Sequence, residues 1–211
     1  MANQPLRQQK TAERTMDRVS LQFNNDNTVA TVALNRPEKH NGVDWPMLKA
    51  VRKVQLQLAK HKTLRAVVLK GAGPSFCAGL DVKSVMSNPK TAVVMYANLW
   101  LPMRNIFQTW SMGWRDLGVP VIAQIHGNCF GAGIQLALGA DIRVCTPDSQ
   151  LSILEAKWGL VPDMGGGALL RELLPVDVAK ELTMTGRVFS GVQAKELGLV
   201  THVVENADEK V

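Results

Sequence analysis

Short apolar runs alternate with amphipathic segments along this sequence, and that alternation constrains the fold more than any other feature. Val19–Phe23 and Thr28–Leu34 are apolar or alternate in polarity, and four polar residues separate them, which predicts a β-hairpin. Apolar residues at helical spacing follow Asp44, a side chain that can cap a helix. Buried strands are predicted at Ala66–Lys70 and Val119–Ile125. Strands that alternate with helices in this way predict an α/β protein.

The length and composition of the chain predict one globular domain with a short tail. The sequence has 211 residues, a length typical of one domain. Hydrophobic residues make up 46% of it and charged residues 20%, which excludes a disordered or fibrous protein. Residues 1–18 are polar and lack the apolar stretch of a secretory signal. We therefore predict a loose N-terminal tail over residues 1–18 and a single domain over residues 19–211.

The cysteines Cys77, Cys129 and Cys145 are odd in number and lack the spacing of zinc ligands. This pattern favours neither a disulfide framework nor a metal site, and it predicts a reducing, cytoplasmic location. Because no apolar run approaches the roughly 20 residues that cross a bilayer, we expect no membrane partner. The formal charge of +6 permits an anionic partner, although a solvated basic surface explains it equally well.

Two glycine-rich turns are candidates for a binding site. The first, Phe76–Asp81, follows a predicted strand, and the second, Gly127–Gly133, lies between a predicted strand and a predicted helix. Glycine lets a ligand approach the backbone closely, and a helix that begins near Gly131 directs free N–H groups at the turn. Such a site favours an anion or a developing oxyanion. Tight packing between helix and strand would explain the glycines about as well.

Two carboxylates downstream are candidates for proton transfer. Glu155 follows a short predicted strand, Leu151–Leu154, and Asp163 lies eight residues further on, in a turn rich in proline and glycine. Apolar surroundings raise the pKa of a carboxyl group and suit it to acid–base chemistry. The residues also allow simpler roles: Asp163 can cap the following helix, and Glu155 can form a surface ion pair.

Three segments taken together resemble the crotonase superfamily, which contains the enoyl-CoA hydratases and isomerases. They are Phe76–Asp81, His126–Arg143 and Glu155–Gly166, and the resemblance extends over about residues 19–205. It implies a superhelix of β-β-α units and an acyl-coenzyme A thioester as substrate, with no separate cofactor and no metal. For a complete chain it implies a homotrimer or hexamer. The sequence ends before the C-terminal helices that usually follow in the family, which weakens the expectation of full substrate binding and assembly.

The resemblance also assigns roles to individual positions. The backbone N–H groups of Leu80 and Ala132 occupy the positions of the family's oxyanion hole. Glu155 and Asp163 occupy positions of catalytic carboxylates. The further positions expected to contact substrate are Ala78, Gly79, Asp81, Val82, Lys83, Gly133 and Gln135.

The identity of the carboxylates decides which reaction the resemblance favours. Hydratases carry a glutamate where this chain has Gln135, which cannot ionise and either holds a water or packs. Dienoyl-CoA isomerases carry an aspartate at the position of Asp163. We therefore expect an enzyme of fatty-acid breakdown that moves a double bond, with Glu155 and Asp163 sharing the acid and base roles. The alternatives are an enoyl-CoA hydratase, or a catalytically weak relative that binds CoA or RNA.

Overall fold

The computed structural model of the protein describes residues 14–16, 18–86, 93–94, 97 and 103–205. Its strands in chain order are β1 (Arg14–Met16), β2 (Val19–Phe23), β3 (Val29–Leu34), β4 (Ala66–Gly71), β5 (Val121–Ile125), β6 (Asn128–Phe130), β7 (Ile142–Cys145), β8 (Gln150–Ser152), β9 (Phe189–Ser190) and β10 (His202–Val203). Its helices are α1 (Trp45–Leu58), α2 (Val82–Met86), α3 (Ile106–Met112), α4 (Ala132–Leu138), α5 (Gly166–Leu173), α6 (Val176–Thr185) and α7 (Gly191–Glu196). Short 3₁₀ helices lie at Pro37–Lys39, Arg115–Leu117 and Leu154–Trp158.

The strands form one large and one small sheet. The large sheet has the order β1-β2-β3-β4-β5-β7-β10, antiparallel from β1 to β3 and parallel from β3 onwards. In the hairpin Val19 pairs with Leu34 and Phe23 with Ala30, so the predicted hairpin is confirmed. The small sheet has the order β6-β8-β9. The predicted α/β class is also confirmed.

The chain passes twice from the large sheet to the small one, and these passages position the site. β5 continues into β6, and β7 continues into β8; β6 and β8 then pair in parallel. Helix α4 follows β6, and the 3₁₀ helix Leu154–Trp158 follows β8. Because parallel neighbours end at the same edge of a sheet, the start of α4 and the residues after β8 lie side by side.

The core explains why the apolar residues of the helices occur where they do. In α1, Met47, Leu48 and Val51 are buried at helical spacing. Asp44 caps this helix as predicted, since its Oδ1 accepts a hydrogen bond of 2.8 Å from the Met47 N–H. Trp110 is also buried, as expected for a core residue. The sequence predicts a long helical segment that contains Trp100, Phe107, Trp110 and Trp114, and Trp100 lies outside the described residues.

Some predicted boundaries are wrong. Arg14–Met16 pair with β2, and residues 1–13 and 17 lie outside the described part. Asn128–Phe130 form a strand where a turn was expected, because their backbone pairs with β8. Leu154 begins a 3₁₀ helix and does not end a strand. Among the described residues, no helix combines the length and apolar character that a bilayer span requires.

Candidate active site

The first glycine turn runs beside β6 and presents a free backbone donor. Val43 pairs with Leu80: the Val43 N–H donates to the Gly79 carbonyl (2.8 Å), and the Asp81 N–H donates to the Val43 carbonyl (2.9 Å). In a planar trans peptide the N–H points opposite to the C=O. The Leu80 N–H therefore points away from Val43, and Leu80 lines a cavity on the other side of the turn.

The second glycine turn presents a similar donor. Gly131 precedes α4 with φ 50° and ψ −117°, a conformation that favours glycine. Its carbonyl accepts the Gln135 N–H at 3.1 Å, so the Ala132 N–H of the same peptide points out of the helix. A Cβ placed on Gly79 would lie 3.8 Å from the Ala132 nitrogen, which brings the two turns into contact.

The two donors are free to bind a ligand. Within the described part of the chain, neither the Leu80 N–H nor the Ala132 N–H donates to an acceptor. Both residues line the same cavity. A pair of converging N–H groups stabilises the charge that develops on a carbonyl oxygen during enolate formation. The geometry therefore supports an oxyanion hole at the two positions that the resemblance implied.

Gly133 has a structural explanation. A Cβ on this residue would lie 2.3 Å from the Cys77 carbonyl oxygen, far inside contact distance, so α4 packs directly against the backbone of the first turn. Gly133 does not line the cavity. Its part in the site is to let the two turns approach each other, which the packing interpretation of the glycines anticipated.

Gln135 and Glu155 form a buried pair. The Gln135 Nε2 donates to Glu155 Oε1 at 2.6 Å, and the Gly166 N–H donates to Gln135 Oε1 at 2.9 Å. Gln135 is 1% exposed and Glu155 is 9% exposed. The remaining carboxylate oxygen, Glu155 Oε2, is buried without a hydrogen-bond partner among the described residues. A surface ion pair is therefore the wrong interpretation of Glu155.

Both carboxyl groups have raised pKa values. Burial raises the pKa of Glu155; the hydrogen bond from Gln135 opposes this, and the negative charge of Asp163 adds to it. Partial desolvation raises the pKa of Asp163, although its side chain remains exposed. Asp163 is not a helix cap, because Gly165 occupies the N-cap of α5 and no side chain caps that helix.

The cavity between these elements has a volume of about 160 Å³ and contains most of the predicted residues. From the sequence we expected Ala78, Gly79, Leu80, Val82, Ala132, Gln135, Glu155 and Asp163, and all of them line it. Three other expected residues do not. Asp81 binds Arg36, Lys83 is exposed, and Gly133 packs on Cys77.

The structure adds lining residues that sequence reasoning missed. They are Gly131, Leu154, Trp158, Leu160, Val161 and Met164. The sequence contains a signal for three of them, because an apolar segment, Trp158–Val161, separates the two candidate carboxylates. In the structure, three residues of this segment are more than half exposed. An exposed apolar segment at the edge of a cavity is suited to contact an apolar ligand.

A larger groove of about 420 Å³ lies elsewhere, between α5 and α6. Of the described residues that line it, Arg171 and Lys180 are charged and none is a carboxylate. It therefore lacks the acid–base groups of the smaller cavity. Within the described residues, no cluster of three or more His, Cys, Asp or Glu side chains is arranged to hold a metal ion.

Comparison with known proteins identifies the family. The sequence model of the Enoyl-CoA hydratase/isomerase family matches residues 24–210. The chain belongs to the enoyl-CoA hydratase/isomerase family. The resemblance to the crotonase superfamily is thus confirmed, and the protein is an enzyme of the enoyl-CoA hydratase/isomerase type.

Curated and solved members of the enoyl-CoA hydratase/isomerase family resemble the chain over most of its length. Carnitinyl-CoA dehydratase from Salmonella enteritidis is 33% identical over 190 residues, which are 90% of this chain and 69% of that protein. Enoyl-CoA hydratase from Bacillus anthracis is 31% identical with a TM-score of 0.82, covering 92% of this chain and 73% of that one. A Thermobifida fusca YX protein solved in complex with CoA is 30% identical with a TM-score of 0.78, and the match covers 90% of this chain and 73% of that one.

Proposed function

We propose that the protein binds an unsaturated acyl-CoA thioester in the cavity between the two glycine turns and moves its double bond. The observation that carries this proposal is the environment of Glu155: Gln135 donates to one carboxylate oxygen, and the other is buried without a partner in the described part of the chain. A carboxylate with one restrained and one free oxygen suits proton abstraction from a substrate that excludes water.

The proposed reaction has two proton transfers. Glu155 Oε2 removes a proton from the carbon next to the thioester, and the electron pair moves onto the thioester oxygen as an enolate. The N–H groups of Leu80 and Ala132 stabilise that oxyanion. The enolate then collapses, the double bond shifts into conjugation, and a proton is delivered to the carbon further along the chain. No atom is gained or lost, so the reaction is an isomerisation.

Asp163 is proposed as the partner acid. It lines the same cavity as Glu155, and partial desolvation raises its pKa, which favours a protonated carboxyl at higher pH than usual. The two carboxyl groups repel each other when both are charged, since the charge of Asp163 raises the pKa of Glu155. Repulsion of this kind favours a state in which only one of the two carboxyl groups is ionised.

Hydration of a 2-enoyl-CoA is the second candidate, because related proteins are named enoyl-CoA hydratase and carnitinyl-CoA dehydratase. In that case Glu155 would transfer the proton and Asp163 would help to place the water. Gln135 argues against hydration. It cannot accept a proton, and both ends of its amide are already bound within the protein, to Glu155 and Gly166.

The test is a panel of acyl-CoA substrates. Purified protein is incubated with 3-enoyl-, 2-enoyl- and dienoyl-CoA thioesters, and the absorbance of the conjugated thioester is followed. We expect conjugation to increase with 3-enoyl- or dienoyl-CoA and little loss of the 2-enoyl signal. Loss of the 2-enoyl signal alone would establish hydration. No reaction with any thioester, in protein that binds CoA, would leave only a binding role.

Two amide variants assign the carboxylates. Glu155→Gln and Asp163→Asn preserve side-chain size but remove the proton acceptor, so each should reduce turnover by roughly 10²-fold or more with little change in thioester affinity. Glu172→Gln is the matched control, because Glu172 forms an exposed ion pair with Arg115 (2.6 Å) away from the cavity. Full activity in Asp163→Asn would remove Asp163 from the mechanism.

We also propose a cytoplasmic enzyme of fatty-acid breakdown that assembles as a homotrimer or hexamer. Unpaired, buried cysteines at all three positions suit a reducing compartment. Closed symmetric assemblies are the usual state of such enzymes. Light scattering of the purified protein at micromolar concentration tests the assembly, and a monomer would contradict it.

A further inference from the structure

Arg36 is the second residue after β3 and is almost fully buried, with 9% of the residue exposed. Its Nη1 atom donates to the Gly42 carbonyl oxygen at 2.9 Å and to Asp81 Oδ2 at 2.8 Å. Its backbone N–H donates to Asn41 Oδ1 at 2.8 Å. The guanidinium therefore joins two segments that are far apart in sequence, one before α1 and one before α2.

These two segments are the ones that orient an oxyanion donor. Val43, next to Gly42, makes the hydrogen bonds of 2.8 and 2.9 Å to Gly79 and Asp81 that flank the Gly79–Leu80 peptide. The ion pair between Arg36 and Asp81 lies immediately beside this pair of bonds. A change in the spacing of the two segments would rotate the peptide and redirect the Leu80 N–H.

Both carboxylate oxygens of Asp81 accept hydrogen bonds within the protein. Its Oδ1 accepts the Ser84 N–H at 3.1 Å at the start of α2, while its Oδ2 accepts from Arg36. Partial burial raises the pKa of Asp81, but the hydrogen bonds from Ser84 and Arg36 outweigh this effect and lower it overall. Asp81 is thus a carboxylate with both oxygens occupied, which explains its absence from the cavity lining.

We infer that Arg36 is a positioning residue: by holding Gly42 and Asp81 together, it fixes the Gly79–Leu80 peptide so that the Leu80 N–H points at the thioester oxygen. This inference rests on the proposed function, because the oxygen to be stabilised belongs to an acyl-CoA thioester. Its consequence is specific. Loss of Arg36 weakens stabilisation of the enolate more than it weakens binding of the substrate, since a small displacement of a catalytic donor affects mainly the transition state.

The kinetic test uses three variants. Arg36→Met removes the guanidinium but keeps an apolar stem. Asp81→Asn keeps an oxygen that can cap α2 but removes the negative charge. Arg36→Lys keeps a positive charge at the position. We expect kcat to fall roughly 10–10²-fold in the first two with KM changed by less than about threefold, and to recover in part in Arg36→Lys. Arg187→Met is the matched control, because Arg187 pairs with Glu181 at 2.9 Å on the surface.

A spectroscopic test measures the oxyanion hole directly. The carbonyl stretch of bound acetyl-CoA should shift to lower frequency in the wild-type protein and in Arg187→Met, and should shift less in Arg36→Met and Asp81→Asn. An unchanged carbonyl frequency and kcat in a folded variant would overturn the inference. An equal loss of kcat and thioester affinity would also overturn it, because that result indicates general damage to the site.

Hydrogen exchange keeps the test independent of the proposed function. The amides of Val43 and Asp81 should exchange faster in Arg36→Met than in the control, whether or not a thioester binds. If the Met variant does not fold, Asp81→Asn provides the same measurement. Unchanged exchange of both amides refutes the role of Arg36, whereas a wild-type protein inert towards every thioester refutes only the proposed function.

Discussion

Replacing Gln135 by Met would test how strongly the buried amide restrains Glu155. The substitution keeps a side chain of similar length but removes both hydrogen bonds of the amide, to Glu155 Oε1 at 2.6 Å and from the Gly166 N–H at 2.9 Å. Glu155 then loses the hydrogen bond that Gln135 donates to its Oε1, while its Oε2 already lacks a partner among the described residues. We expect the pKa of Glu155 to rise further above its usual value.

The expected cost has two parts. A hydrogen bond to a charged group contributes about 1.5–3 kcal/mol, and one to a neutral group about 1 kcal/mol. The bond to the Glu155 carboxylate supplies the first part, which applies only while that carboxyl is ionised. The bond from the Gly166 N–H supplies the second at every pH. The variant should therefore be less stable by roughly 2.5–4 kcal/mol at neutral pH and by less in acid.

The sign of the pH dependence of stability follows from the linkage between proton binding and folding. In the wild-type protein the folded pKa of Glu155 is raised, so its contribution to stability is present at low pH and is lost as the pH rises through the folded pKa. Gln135→Met extends that loss to higher pH. The acidic limb of the kcat/KM profile should move in the same direction, because the catalytic carboxylate forms at higher pH.

Urea denaturation at several pH values and the pH profile of kcat/KM measure these effects. Gln55→Met is the matched control, because Gln55 is also buried and donates to the Thr109 carbonyl at 3.1 Å, but lies outside the cavity. It should lower stability equally at all pH values and leave the profile unchanged. If Gln135→Met shows the same pH-independent loss and an unmoved acidic limb, the amide does not control Glu155 and the reasoning is refuted.

Three further predictions follow from the packing of the site. Gly133→Ala should destabilise the fold by about 1–3 kcal/mol or more, because the new Cβ would lie 2.3 Å from the Cys77 carbonyl oxygen. Gly167→Ala is the control: its Cβ has space, so the change should be neutral or stabilising. Urea denaturation measures both. Trp110→Phe should lower the free energy of unfolding by about 1 kcal/mol, because it removes the 2.8 Å hydrogen bond from the indole N–H to the Ala132 carbonyl. A variant as stable as the wild-type protein would contradict a stabilising role for that bond. Burial raises the pKa of the Cys77 thiol to about 12, so it should resist a thiol reagent at pH 8 until the protein unfolds; rapid labelling of native protein would count against this.

Much of the fold is predictable from the sequence because secondary structure depends on local patterns. The alternation of apolar and polar residues predicted the hairpin of β2 and β3, and apolar spacing with a capping aspartate predicted α1. Boundaries were less predictable where pairing decides them. Arg14–Met16 has no strong strand pattern and becomes a strand through its partner β2.

The candidate site divides in the same way. Glycine positions and carboxylates are visible in the sequence, and the resemblance placed Leu80, Ala132 and Glu155 where the structure brings them together around one cavity. The sequence left open whether Asp163 caps a helix. The structure decides this, because the chain reaches the N-cap of α5 only at Gly165.

The amino-acid pattern by itself determined the alternation of strands and helices, the buried face of α1 and which turns can expose backbone donors. The tertiary structure alone decided that Gln135 restrains Glu155, 20 residues away, and that Arg36 binds Asp81, 45 residues away. The physical reason is the distance along the sequence over which each interaction acts. Side-chain periodicity and backbone preference act between near neighbours, whereas these contacts depend on the order of strands in two sheets and on the close approach of α4 to Cys77, which Gly133 permits.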